Sequence, residues 1–173
     1  MRNLIGRAVL GALMAAIVMG AVAPAKAYSQ AAQSPEKKEI SDYKLTTDKL
    51  NKFEVAAKSY TKLANGNPAL QASLNKDAQA AEQNTVANSV KSIEKHPELV
   101  SAIKSAGFTT TREYVVMTYA LINTFSNVGM KRKGFIKQLP TSISVENAVF
   151  VDQNYDRVNG IVNMLTPKDE GDK

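Results

Sequence analysis

Apolar residues in the middle of the chain recur at intervals of three and four, which is the spacing of an amphipathic helix. The first such segment has its apolar stripe at Leu50, Phe53, Ala57, Tyr60 and Ala64. Thr47 is the expected N-cap, because a threonine hydroxyl accepts a hydrogen bond from an amide of the first turn. Asn65 and Gly66 follow the stripe and are expected to end the helix, since glycine readily adopts the left-handed conformation of a helix end.

The second segment, residues 68–95, begins with Asn67 as its cap and Pro68 as its first helical residue. Its apolar positions change direction halfway, from Leu70, Leu74 and Ala81 to Val86, Val90 and Ile93 on nearly the opposite side. We predict a break near Asn84 and Thr85. The alternative is one continuous helix that passes between two sets of partners.

The most apolar segment begins with a capping box, in which Thr110 accepts a hydrogen bond from the Glu113 amide and the Glu113 carboxylate reaches back. Residues 111–127 are apolar nearly all round, so we expect them to form the central helix. Gly129 is expected to end this helix.

Two further helices complete the pattern. A short one begins at Pro97 and is expected to end at Gly107. The last is predicted from Val145 to Leu165, with Ser144 as its cap and an apolar seam at Ala148, Val151, Tyr155, Val158, Val162 and Leu165. The sequence therefore predicts an all-α fold, an irregular bundle of five or six helices.

The first 27 residues have the pattern of a secretory signal peptide. Arg2 and Arg7 precede an apolar run over residues 8–23, and the small residues Ala25 and Ala27 suit the pocket of a signal peptidase. The run is shorter than the roughly 20 residues of a membrane-spanning helix, and no later run qualifies. We expect an exported bacterial protein, periplasmic or secreted.

Four segments follow from these patterns: a signal peptide (1–27), a flexible leader (28–41), a helical domain (42–165) and a charged disordered tail (166–173). The chain contains no cysteine, which excludes disulfides, thiol catalysis and cysteine metal sites. Removal of the signal takes away three of the 22 Lys and Arg residues and none of the 16 acidic ones, which leaves a net charge of +3. So small a charge does not indicate a nucleic-acid partner.

Few residues offer catalytic or metal chemistry. The single histidine, His96, is expected to cap a helix. The alternative is a metal or haem ligand with a methionine as partner: Met117, Met130 or Met164. Asp152 and Asp156 lie one helical turn apart and are expected to form a solvated face. We expect no enzymatic activity, no cofactor and no metal.

Lys131, Arg132 and Lys133 are the one concentrated charge of the sequence and its candidate binding residues. On a loop they would meet the phosphates of an anionic envelope component. The interpretation that we favour for these three residues is structural, because basic residues behind a helix end interact with its free carbonyls. The leading interpretation is a non-enzymatic domain that binds or scaffolds in the cell envelope, with an anionic component or another envelope protein as its partner.

A second interpretation is a carrier of an apolar small molecule. The helices at 111–127 and 145–165 would then enclose an interhelical pocket of a few hundred Å³. Its aromatic lining would come from Tyr114, Tyr119, Phe125, Phe150 and Tyr155. The alternative role for these rings is to pack the core.

Two stretches of the sequence carry a resemblance. Residues 106–114 (AGFTTTREY), followed by the apolar helix, and residues 147–151 (NAVFV) resemble a group of short exported bacterial helical proteins without assigned activity. The resemblance covers the second half of the helical domain. It implies export and an all-α fold, and it brings no catalytic or binding residues.

Overall fold

The structure, a computed structural model, describes residues 34–80 and 85–165. Within these ranges the chain forms eight helices and no strand: α1 (Pro35–Asp42), α2 (Thr47–Gly66), α3 (Pro68–Ala80), α4 (Val86–Glu94), α5 (Pro97–Ser105), α6 (Thr111–Arg132), α7 (Val145–Gln153) and α8 (Tyr155–Leu165). The prediction of an all-α fold is confirmed, and eight helices replace the five or six expected. None of the eight combines the length and apolar character needed to cross a membrane. The segments predicted to be a signal peptide (1–27) and a charged tail (166–173) lie outside the described residues.

Helix α6 is the centre of the bundle, as its apolar character predicts. It contacts α1, α2, α4, α5, α7 and α8. Met117 and Leu121 of this helix are fully buried, and they share the core with Leu50 and Phe53 of α2 and Leu99 of α5. Burial of each such side chain stabilises the fold by about 1.5–3 kcal/mol.

Hydroxyl side chains cap three helices at or next to the expected positions. Thr110 caps α6 and accepts a hydrogen bond of 3.0 Å from the Glu113 amide. Ser144 caps α7 as predicted. The cap of α2 is Thr46, one residue before the expected Thr47. Local chemistry thus sets the helix starts to within one residue.

Helices α3 and α4 are separate, which confirms the predicted break. Thr85 is extended and caps α4 by accepting a hydrogen bond of 3.1 Å from the Asn88 amide. Asn84, the other residue expected near the break, lies outside the described residues. Two helices with different directions can each bury their own apolar stripe, which one straight helix with a reversed stripe cannot do.

Two glycines end helices in the left-handed conformation. Gly107 has a φ of 97° behind α5, as predicted, and Gly134 has a φ of 76° behind α6. The prediction that Gly129 ends α6 was wrong, because the helix continues to Arg132. A Cβ atom at Gly129 would lie 2.9 Å from the Tyr155 Oη atom, so this glycine permits α8 to approach α6 closely.

The single helix expected from Val145 to Leu165 is interrupted at Asn154, which separates α7 from α8. The side-chain amide of Asn154 donates to the Phe150 carbonyl at 2.8 Å, and its backbone amide donates to the same oxygen at 3.1 Å. A side chain that competes for backbone groups in this way disrupts a helix. The apolar seam remains buried on both sides of the interruption, at Val151 and Val158.

Helix α1 begins at Pro35, so the described part of the expected leader, residues 34–41, belongs to the helical fold, which starts before the expected residue 42; residues 28–33 lie outside the described residues. The Glu36 carboxylate accepts hydrogen bonds of 3.2 and 3.1 Å from the first two amides of α4, so it caps that helix across 50 residues of sequence. Glu39 accepts a hydrogen bond of 3.0 Å from the Arg112 guanidinium of α6. The polar residues that suggested a solvated leader therefore attach α1 to the bundle.

Two polar side chains from the end of the chain hold the start of α2. Asn147 is buried; its Oδ1 atom accepts from the Leu45 amide at 2.9 Å, and its Nδ2 atom donates to the Tyr43 carbonyl at 2.8 Å. The Arg157 guanidinium donates to the Glu54 carboxylate at 3.0 Å. These bonds join residues that are 102 to 104 positions apart.

Candidate functional site

A cavity of about 50 Å³ lies where α2, α4, α5 and α6 meet, and α3 and α8 contribute one residue each to its lining. Among the described residues that line it, none carries a charge. The apolar part of the lining consists of Ala56, Leu74, Ile93, Leu99, Ala102, Ile103, Val115 and Leu165. An uncharged, mostly apolar cavity of this kind is suited to the apolar part of a small molecule.

Short side chains account for the position of this cavity. Ala56 of α2, Ser92 of α4 and Ala102 of α5 all line it. A protein core is normally packed as densely as an organic crystal, so three short side chains at one junction leave space unless longer neighbours fill it. The neighbouring Tyr114 does not move in, because its ring is stacked on Phe53 with centroids 5.7 Å apart.

Six hydroxyl groups interrupt the apolar lining: Tyr60, Ser89, Ser92, Tyr114, Thr118 and Tyr119. The hydroxyls of Ser89 and Tyr119 share a hydrogen bond of 3.0 Å, and Thr118 donates to the Tyr114 carbonyl at 2.8 Å. The Ser92 hydroxyl is buried and has no hydrogen-bond partner in the part of the chain that the structure describes. Ser92 therefore has the capacity to bind a polar atom of a ligand, which would remove a cost of about 1–3 kcal/mol.

The tyrosines of the lining remain uncharged at neutral pH. Burial raises the pKa of Tyr60 to about 12 and also raises the pKa of Tyr114 and of Tyr119. General acid–base catalysis works best with a group whose pKa lies near the operating pH. These phenols can donate and accept hydrogen bonds, and their chemistry suits binding better than proton transfer.

The structure places the cavity between α6 and helices α2, α4 and α5, and not between α6 and the last two helices, and its volume of about 50 Å³ is smaller than the few hundred Å³ expected. Tyr114 and Tyr119, two of the five predicted lining aromatics, do line it. Phe125 and Tyr155 pack on each other with ring centroids 4.9 Å apart, and Phe150 packs partly buried against the core. The missed lining residues are the small ones of α4 and α5, whose signal in the sequence is an alanine or serine on an apolar stripe.

The three candidate basic residues are not on a loop, which is a further correction. Lys131 and Arg132 form the last turn of α6, and Lys133 is its C-cap. The Arg132 Nε atom donates to the Asp152 carboxylate at 2.6 Å, and its guanidinium lies 4.2 Å from the centre of the Tyr155 ring. Arg132 therefore joins α6 to α7 and α8, whereas Lys131 and Lys133 are exposed.

The residues considered for metal or haem chemistry are placed as follows. His96 is buried at the N-cap of α5, and its carbonyl accepts hydrogen bonds from the first turn. Met117 is buried in the core, and Met130 and Met164 are partly buried. Among the described residues, no group of three His, Cys, Asp or Glu side chains could hold a metal ion. Asp156 is exposed, as expected of a solvated face.

Comparison of the chain with protein-family models, with curated proteins and with solved structures finds no match.

Proposed function

We propose that this protein is a non-enzymatic binding protein that holds a small apolar molecule in the cavity between α2, α4, α5 and α6. The observation that carries the proposal is the lining itself, in which eight apolar side chains and six hydroxyls surround the space without a charge among the described residues. Binding sites for small molecules combine such an apolar lining with a few polar groups that orient the ligand.

The size of the cavity limits the ligand. A cavity needs about 10–15 Å³ for each water-sized group, so about 50 Å³ admits roughly three to five non-hydrogen atoms without rearrangement. The best very small ligands gain at most about 1.5 kcal/mol per non-hydrogen atom. The dissociation constant of such a fragment is therefore expected to be no lower than the micromolar range.

The hydroxyl groups favour a ligand with one polar atom. The buried Ser92 hydroxyl can donate to a carbonyl or hydroxyl oxygen, and the hydroxyls of Ser89 and Tyr119 already satisfy each other. A short alcohol or ketone, or the equivalent end of a larger molecule, matches this arrangement. A carboxylate does not match it, because no cation lines the cavity within the described residues.

We further propose that the protein binds this ligand outside the cytoplasm. The proposal is supported by the signal-peptide pattern of residues 1–27, which lie outside the described residues. Sequencing the N-terminus of protein purified from a bacterial envelope fraction tests it, since cleavage after Ala27 leaves Tyr28 as the first residue. An uncleaved chain would contradict the proposal.

Ligand-detected NMR of residues 28–173 with alcohols and ketones of about three to five non-hydrogen atoms tests the binding function. Ala102→Leu fills the cavity and is expected to abolish binding, whereas Ala72→Leu, the same change at an exposed position of α3, leaves binding intact. Ser92→Ala is expected to weaken the binding of alcohols and ketones more than the binding of a hydrocarbon of equal size. The proposal fails if the parent binds none of these compounds, or if Ala102→Leu binds them as well as Ala72→Leu does.

A further inference from the structure

The C-terminal end of α6 carries an exposed surface that the cavity does not explain. We call it the basic tip and define it as Lys131, Lys133, Phe135 and Lys137. All four side chains are exposed, and Phe135 is 76 % exposed. Phenylalanine is among the residue types most often buried, whereas Phe135 is exposed and has lysines four and two positions before it and two positions after it.

Backbone hydrogen bonds fix the position of Phe135. Gly134 has a φ of 76°, and its amide donates to the Lys131 carbonyl at 3.0 Å. The Phe135 amide donates to the Met130 carbonyl at 2.9 Å. These two bonds form a Schellman motif, the usual closure of a helix by glycine. The phenylalanine is therefore held directly beyond the end of α6, at a defined place.

The charge of the tip is not neutralised by its neighbours. Within the described residues the structure gives Lys131, Lys133 and Lys137 no ion pair with an acidic side chain. Arg132, which lies between them in sequence, is occupied by Asp152 and the Tyr155 ring. Among the described residues the basic tip thus has three lysines without an acidic partner, all within four positions of the exposed Phe135 in the sequence.

We infer that the basic tip docks on the surface of an anionic phospholipid bilayer. Lysine ammonium groups complement lipid phosphates, and each contributes about fivefold to membrane partitioning, which corresponds to about 1 kcal/mol. An aromatic side chain among them enters the interface between headgroups and acyl chains, as in other surface-binding segments. Charge alone would suit any polyanion, and the exposed phenylalanine is the feature that selects a bilayer. This inference is independent of the proposed cavity function.

Co-sedimentation of residues 28–173 with vesicles tests the inference. Binding is expected to vesicles of phosphatidylcholine with phosphatidylglycerol, and not to pure phosphatidylcholine. It should weaken strongly between ionic strengths of about 0.01 and 1 M, over which the Debye length falls from about 30 to 3 Å. No binding to the mixed vesicles at low ionic strength, or binding to lipopolysaccharide micelles alone, overturns the inference.

Two sets of variants assign the binding to the tip. Replacing Lys131, Lys133 and Lys137 by glutamine is expected to lower the partition coefficient about 100-fold. The matched control replaces three other exposed lysines by glutamine, with the same change in net charge and little expected loss: Lys62, Lys91 and Lys104. An equal loss in both triple variants overturns the inference, because net charge alone would then explain binding.

Phe135→Ser separates a bilayer from a soluble polyanion. Because Phe135 is exposed, we expect the variant to keep the fold, and circular dichroism checks this directly. Partitioning to mixed vesicles is expected to fall about tenfold, from a transfer energy near 1.5 kcal/mol. Binding to soluble polyphosphate should not change. If vesicle binding is unaffected by Phe135→Ser, the tip contacts phosphate without entering the bilayer and the inference is wrong.

Discussion

The close approach of α6 and α8 at Gly129 gives a quantitative prediction for Gly129→Ala. The added Cβ atom would lie 2.9 Å from the Tyr155 Oη atom, which is closer than carbon and oxygen tolerate. The Tyr155 ring cannot turn away freely, because it packs against Phe125 with centroids 4.9 Å apart and the Arg132 guanidinium lies 4.2 Å from its centre. The strain must therefore be taken up by the packing between the two helices.

Two opposing effects set the magnitude. Alanine is favoured over glycine inside a helix by about 1 kcal/mol, whereas overpacking of a core costs about 1–3 kcal/mol. Gly129→Ala is therefore expected to lower the free energy of unfolding by about 0–2 kcal/mol. In a Tyr155→Phe background the nearest ring atom is Cζ, 3.8 Å from the new Cβ atom, which is an ordinary contact. The same change should then stabilise the protein by about 1 kcal/mol.

Equilibrium urea unfolding of the four proteins in this double-mutant cycle measures the coupling, which should be about 1–3 kcal/mol. Gly160→Ala is the matched control, because Gly160 lies in α8 with nothing within 4 Å of its Cβ position. That control should stabilise the protein by about 1 kcal/mol with or without the Tyr155 hydroxyl. If Gly129→Ala is equally stabilising in both backgrounds, the proposed contact does not limit the approach of the helices.

Three further predictions rest on single side chains. Asn147→Ala leaves the Leu45 amide and the Tyr43 carbonyl without their partner. The free energy of unfolding in urea should fall by about 2–5 kcal/mol, and a fall below about 1 kcal/mol would contradict the burial of these groups. Leu121→Ala should lower the free energy of unfolding by about 2–5 kcal/mol, because the side chain is fully buried. Asp156→Ala, at an exposed position of α8, should lower it by no more than about 0.5 kcal/mol. Equal effects would show that the helix faces are misassigned. Burial raises the pKa of Tyr60 from about 10 in the unfolded chain to about 12 in the folded protein, so stability should fall as the pH rises from 10 to 12. Tyr60→Phe should make that fall shallower in unfolding curves recorded across this range, and an unchanged slope would contradict the burial of the phenol.

Helix boundaries that depend on neighbouring residues could be predicted from the sequence. Thr110, Ser144 and Gly107 act where capping chemistry places them, since each interacts with its own helix end. The leader was misjudged for the opposite reason. Glu36 caps α4, which begins 50 residues later, and the sequence around Glu36 does not indicate this contact. Gly129 was misread as a helix end because its partner, Tyr155, approaches from another helix.

The candidate site could be predicted only in part. The tyrosines at 114 and 119 were expected to face a pocket because they lie on an unusually apolar helix, and they do line the cavity. The location of the cavity depends on where Ala56, Ser92 and Ala102 meet, and these residues come from three different helices. The spacing of apolar residues along the sequence does not reveal how those helices pack on one another. The pairing of Arg132 with Asp152 is likewise a tertiary contact. The sequence places Arg132 in a basic cluster and Asp152 on a polar stripe, and neither pattern indicates that the two residues meet.

The bonds from Asn147 and Arg157 to the start of α2 have a consequence for how the chain folds. They join segments 102 to 104 residues apart, so the entropy of closing a long loop must be overcome before they form. Helical domains made of local contacts fold fastest, and these distant contacts slow the approach to the native state. On a ribosome, where the N-terminal part emerges first, the segment ahead of α2 must wait for Asn147 of α7, and Glu54 must wait for Arg157 of α8. A nascent chain that ends before Asn147 therefore lacks the bonds that complete the fold.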